Sequence, residues 1–260
     1  MGHYTLRINR EALTVEDRRD QGNGVDTLSS IEVLDFDASL LGGSFDLRTF
    51  GNLANLTSED LESFIELYIA YFNRAPDAIG LNFWGSAFAS GTSFEEMAIL
   101  FVDQNETRAA YPEDTSNIEF ATSVYGNVLG RTPDQTGIDF WVAQLDLGEV
   151  SRAQFILEVL KGAKAELKPE EGQAFVDQQL ADRLYLENKV DLGAYFAVHR
   201  GISDVGWARS AMDVFDGSQV SIEEAVSLID SYYVEALSPE SGQFLMQLLG
   251  VLESPVGAFD

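Results

Sequence analysis

Two stretches of this chain decide its fold: YFNRAPDAIGLNFWGSAFASG, residues 71–91, and VLGRTPDQTGIDFWVAQLDLG, residues 128–148. They match at a constant offset of 57 residues. Arg74 pairs with Arg131, Pro76 with Pro133, Asp77 with Asp134 and Gly80 with Gly137. Phe83 then pairs with Phe140, Trp84 with Trp141 and Gly91 with Gly148, while upstream Tyr68 matches Tyr125. Two units of this size read as duplicated helical hairpins packed together. Within each, Arg closes one helix, where a cation suits the carbonyl end. Pro begins the next helix, and Asp in its first turn faces the free amides. Arg74–Asp77 and Arg131–Asp134 are spaced to pair across that corner, and the Gly after them lets another helix approach. Ile79, Phe83 and Ala87 fall on one helical line and Gly80, Trp84 and Phe88 on the next, a stripe broad enough to read as core. Gly91 and Gly148 end their helices as left-handed caps. The plain reading of the motif is a duplicated helix corner with a buried anchor; the functional one is a pair of exposed sugar-binding Trp platforms.

Outward from the repeat, helix starts recur. Ser93–Glu96, Ser116–Glu119, Ser151–Gln154 and Ser221–Glu224 each have the capping-box spacing, and Thr57-Ser58-Glu59-Asp60 opens a further helix. Pro169 and Pro239 occupy first-turn positions as well. The expectation is nine or ten helices joined by short turns, with Gln173 to Val198 as one long helix or a kinked pair. The first 50 residues differ. Thr5 to Ile8, Leu13 to Glu16 and Ile31 to Phe36 alternate, Gly22-Asn23-Gly24 is a turn signal, and Gly42-Gly43 leads to a last apolar stretch, Phe45 to Phe50. The fold class read from this is mainly α: tandem helical-hairpin repeats forming a multi-helix bundle, with a small N-terminal β-ribbon. The expected organisation is a β-rich segment over 1–50, two repeats over 58–166 (about 58–110 and 115–166), and a C-terminal helical region, 167–260, packed on the repeats.

Composition bounds the function. There are 260 residues, 43 Asp and Glu against 16 Lys and Arg, a net charge of −27 and no cysteine. Such a field repels nucleic-acid phosphates and anionic membrane surfaces. Disulfides, thiol catalysis and Cys-type zinc sites are excluded. Acidity leaves three readings: solubility, a salty environment, or hard cations such as calcium on carboxylates. No stretch approaches the roughly 20 apolar residues of a membrane span, and Met1 to Arg10 lacks the apolar run of a cleaved signal peptide.

The Arg-x-Pro-Asp-x-x-Gly-(Leu/Ile)-x-Phe-Trp unit resembles a bacterial family, the domain of unknown function 4214, commonly found beside RTX, haemolysin-type calcium-binding repeats in exported proteins. It is also similar to the helical phycobilisome linker domain. The stretch from Gly22 to Phe36 resembles the Gly-x-Asp-x-Leu-x-x-(Val/Ile)-Glu segment that often precedes such domains. The resemblance implies a Gram-negative source and secretion or cell-surface display through a type I exporter that reads an uncleaved C-terminal signal. Phe244 to Leu252 is then read as an amphipathic helix before a tail, Glu253 to Asp260; a core helix with a frayed end is the plainer alternative. The glycine-rich calcium nonapeptides themselves are absent.

Among acids, Asp17, Asp20, Asn23 and Asp26 cluster in a glycine-bearing loop and are the candidate calcium ligands; a solvated loop is the other reading. Asp213 to Glu224 has EF-hand length, but Phe215 and Gly217 stand at ligand positions, so Asp216-Gly217 reads as a turn. His3 and His199 are the only histidines, and no HExxH, Gly-x-Ser-x-Gly, P-loop or complete dinucleotide fingerprint is present. The expectation is a non-catalytic module of an exported RTX-associated protein, structural, surface-attaching or ligand-binding, with a protein or surface glycan as partner. Alternatives are a carboxylate-based hydrolase of glycans and an intracellular, cytoplasmic linker or scaffold.

Overall fold

The computed structural model describes residues 1–35, 44–49, 53–238 and 241–253. Phe36, Gly42, Gly43, Pro239 and the tail from Ser254 onward lie outside the described residues. The chain is mainly helical, with ten α-helices among the described residues. Strands β1 (Tyr4–Ile8), β2 (Leu13–Asp17), β3 (Gly24–Leu28), β4 (Val33–Asp35) and β5 (Ser44–Asp46) come first. The helices are α1 (Ser58–Phe72), α2 (Ala78–Ala89), α3 (Phe94–Val102), α4 (Asn105–Ala110), α5 (Asn117–Leu129), α6 (Gln135–Leu147), α7 (Arg152–Ala163), α8 (Gln173–Ala194), α9 (Val205–Asp213) and α10 (Gln219–Ala236), before a last strand β6 (Leu245–Leu248).

The offset of 57 places α5 over α1 and α6 over α2. One extra residue before Ser151 makes the offset 58 from α3 to α7, where the capping Ser93 and Ser151 coincide. The boxes at Ser93, Ser116 and Ser151 form in full. The fourth does not: Ser218 caps α10 and Ser221 lies in its first turn, because the turn at Asp216-Gly217 ends earlier than expected and Ser218 reaches the Ser221 N–H first. Pro169 opens its 3-10 turn, Pro169–Glu171, as expected, but Pro76 and Pro133 each stand two places before the first helical residue. Asp77 and Asp134 are themselves the N-caps of α2 and α6, accepting from Gly80 N and Gly137 N at 2.7 and 2.8 Å, so Pro76 and Pro133 precede the helix. A short acidic side chain satisfies a free amide better from the cap than from inside the helix.

The chain divides into two compact units. The first comprises Met1–Ile65, Arg74–Thr92 and Asp191–Asp260, the second Glu66–Asn73 and Ser93–Val190. In the first, a four-stranded sheet has the order β3-β2-β1-β6. Here the expected C-terminal helix is overturned. Leu245–Leu248 is a strand, parallel to β1 with Leu6 opposite Met246, and all four residues are buried. A short apolar run of this length, interrupted only by Gln247, fits a doubly covered strand as well as a helix. Backbone bonds from Met246 N to Gly201 O and Leu249 N to Ile8 O decide for the strand. In the same unit α2 buries Ala78, Leu81, Asn82, Gly85 and Ser86, not the stripe through Phe83. Phe83 is 51% exposed, because the 3-10 turn Leu53–Asn55 packs so closely that a Cβ on Gly85 would stand 2.2 Å from Leu53 Cδ1. At the end of α8 the backbone widens into a π-turn, Tyr195–His199.

In the second unit α5, α6 and α7 pack together and α3 packs on α7. Two aromatic clusters fill it. One is Tyr68, Tyr71, Phe72 and Phe101; the other is Phe120, Tyr125, Trp141 and Phe155. Lys189 is 2% exposed and joins the ends of α1 and α5, donating to Asn73 Oδ1 at 2.5 Å and Asn127 O at 2.9 Å.

Candidate functional site

The site grows from the second copy of the motif. α5 closes at Gly130, whose φ of 67° is left-handed. The chain then presents Arg131, which makes a two-toothed bond with Asp182 of α8: Nε to Oδ1 and a terminal nitrogen to Oδ2, both 2.7 Å. Such planar pairing is the geometry a guanidinium favours. Gln178, one turn before Asp182, donates to the same Oδ1 at 2.7 Å. The expected Arg131–Asp134 pair is therefore replaced. Asp134 turns to cap α6, and the long arginine reaches the carboxylate that α8 brings close. The bond to Asp182 raises the guanidinium above its ordinary pKa despite partial burial. Burial pushes up the Tyr125 phenol, toward which the Trp141 indole N–H is directed.

Tyr125, Arg131, Asp134 and Trp141 line a cleft of about 430 Å³, closed on other sides by α7 and by Phe175, Gln178 and Asp182. The α7 side is low because Gly162 and Ala163 stand there. The volume is that of a small-ligand pocket. A wider groove of about 630 Å³ has Glu66 as its inner carboxylate, but Lys164 occupies it at 2.7 Å.

The first copy treats the same residues differently. In the first unit, Arg74 is 3% exposed and lies 3.6 Å from Asp77. In the second unit, Tyr68 is buried against Phe72 and Phe101. The repeat offsets place Leu129 at the position of Phe72 and Val159 at that of Phe101. Two rings in the first copy are thus two smaller side chains in the second, while Phe120 and Phe155 stand where the first copy has Ser63 and Met97, so the aromatic filling is moved and Leu129 and Val159 are left bordering the cleft. Trp84 and Trp141 are both half-buried, each edge-on to its neighbouring Phe83 or Phe140 at 5.3 and 5.1 Å. Phe140, at 56% exposed, stays outside the core like Phe83. Gly137 does not admit a second helix: the nearest atoms to a Cβ there are those of the capping Asp134, at 3.4–3.6 Å. Gly148 closes α6 in the left-handed region, whereas Gly91 lies one residue beyond the cap of α2, Ser90.

The candidate calcium loop is not assembled as a cation site. Asp17 is held by Arg19 through contacts of 2.8 and 2.6 Å and accepts from the Arg19 and Asn23 amides. The Arg19 guanidinium holds that carboxyl well below its usual range. Asp26 lies on β3 opposite Val15, and Asp20 is exposed. Among the described residues no three His, Asp or Glu side chains are grouped to take a metal ion, and no helix is long and apolar enough to cross a membrane.

Asp182, Gln178 and Phe175 escaped the sequence reading, since nothing in their spacing ties α8 to the motif. The readable signal was Phe72 and Phe101 giving way to Leu129 and Val159 between the copies. Residues 50–111 and 98–166 each match the family described as Domain of unknown function (DUF4214). No curated protein and no solved structure matches the chain. The α1–α7 region, residues 50–166, therefore belongs to the DUF4214 family, in two tandem copies.

Proposed function

We propose that this chain is a non-catalytic ligand-binding module of an exported bacterial protein, with the cleft of the second copy as its working site. The observation that carries the reading is the divergence of the copies. One motif is kept at eight matched positions from Tyr68/Tyr125 to Gly91/Gly148. Around it, Phe72 and Phe101 of the first copy stand where the second has Leu129 and Val159, and in the second unit a cleft of about 430 Å³ borders those two positions. A module that needed only two structural corners would lose nothing by filling both. Export is supported by the resemblance to RTX-associated proteins, and a net charge of −27 suits solubility in salty, calcium-rich surroundings.

The test is fractionation of a Gram-negative host carrying a type I exporter. The full chain is expected in the medium or on the cell surface. A variant ending at Leu252 is expected to fold, with an unchanged melting curve, and to stay inside. Full-length protein confined to the cytoplasm, or a truncated chain that still leaves, contradicts the export reading.

A further inference from the structure

We infer that the second-copy cleft takes a neutral pyranose unit of a glycan. This deepens the binding-module reading and rests on it. The first support is where the room comes from. Within the second unit, the Phe101 ring is fully buried between Tyr68, Tyr71 and Phe72. Its counterpart Val159 ends short at the wall of the cleft, on whose border Tyr125 and Trp141 stand with Phe155 packed against both. A pyranose chair, thicker than a phenyl ring and fringed with hydroxyls, fits within the cleft's volume of about 430 Å³.

The second support is the character of the walls. Tyr125, Trp141 and Phe175 supply aromatic surface, and Phe175 is 44% exposed without a ligand. The C–H face of a pyranose packs on such rings, while its hydroxyls need donors and acceptors at the margin. The margin has both: the amides of Gln178 and Gln179, the Glu158 carboxylate and the Lys168 ammonium. Gln178 keeps its bond to Asp182, and Gln179 its bonds to the Lys168 N–H and the Glu166 carbonyl, so a guest's hydroxyls meet an already ordered polar margin.

The third support is charge. The one guanidinium in the cleft is already matched by Asp182 at 2.7 Å. It has no fork left for the carboxylate of a uronic or sialic acid. The field of the chain, at −27, opposes acidic glycans further. The volume of about 430 Å³ suits a short stretch of chain rather than a long groove.

The experiment titrates the full chain by calorimetry and tryptophan fluorescence with cellobiose, maltose, laminaribiose and chitobiose. Digalacturonic acid and choline serve as the acidic and cationic probes. At least one neutral disaccharide is expected to bind and shift the tryptophan emission. Val159→Phe, which restores the ring of the first copy, should weaken that binding by at least about tenfold. Phe175→Ala, on an exposed ring whose removal spares the core, should weaken it as well with an unchanged melting curve. No neutral sugar binding at about 10 mM, binding indifferent to both variants, or preference for digalacturonate or choline overturns the inference. These outcomes are independent of export: a sugar-binding protein that never leaves the cell contradicts the export reading alone, and an exported protein blind to all four sugars contradicts this one alone.

Discussion

Asn73 and Gly130 stand 57 residues apart at the same place in the two copies, and both are left-handed, with φ of 50° and 67°. Each ends the first helix of its copy. Asn is the side-chain-bearing residue that best tolerates this conformation, and Asn73 turns it to use by accepting from buried Lys189. At Gly130 a Cβ would stand 2.3 Å from the Tyr185 ring. Gly130→Ala is therefore expected to destabilise by more than about 1 kcal/mol, from backbone strain and ring displacement together. Asn73→Ala is expected to cost about 1–3 kcal/mol, because Lys189 loses an acceptor in the interior. Urea unfolding of both variants checks this; a neutral Gly130→Ala would contradict the close packing of α8 on the end of α5.

The C-terminal strand makes a second prediction. Leu245, Met246 and Leu248 are at most 2% exposed beside β1. Removing everything after Ser241 should abolish the cooperative melting of the first unit, whereas removing everything after Leu252 should leave it intact. Circular dichroism melts of the two truncations distinguish a strand in the core from a terminal helix that merely frays.

His199 should make stability fall on mild acidification. Burial lowers its pKa, with Arg200 adding to the shift and a backbone contact from Glu253 opposing it. A histidine with a lowered native pKa takes up its proton more readily when unfolded. Its contribution is therefore full above about pH 6.5 and is lost as the pH falls from there toward the native value. His199→Gln should flatten that slope, and His3→Gln serves as the control. An unchanged slope in His199→Gln would show that the imidazole is as free to charge in the native state as in the unfolded one.

The repeat, the helix starts and the N-terminal strands were legible because each rests on local chemistry: a cap, a turn or a period. Ser93, Ser116 and Ser151 needed only the residue three places on. The misreadings came where distant chain decided. Phe83 looked like core because its own helix is apolar all round, and only the turn at Leu53 shows which side is covered. Leu245–Leu248 has no period that separates a buried strand from a buried helix, and β1 supplies the answer from the other end of the chain. Arg131 had a plausible partner three residues away, yet Asp182 offers both oxygens in one plane. The cleft was hidden for the same reason: it depends on α8 and on two absent rings, which show only when the copies are aligned position by position.

The most direct measurement is a reciprocal exchange at the matched positions Phe101 and Val159. If the cleft is the space that Phe101 fills in the first copy, Phe101→Val should leave a cavity and cost about 2–4 kcal/mol in urea unfolding. Val159→Phe should place its ring in open room and stay within about 1 kcal/mol of the parent chain, below the usual penalty for overpacking. A strongly destabilising Val159→Phe, or a neutral Phe101→Val, would contradict the account of Phe101 closed in among Tyr68, Tyr71 and Phe72 and of Val159 bordering an open cleft.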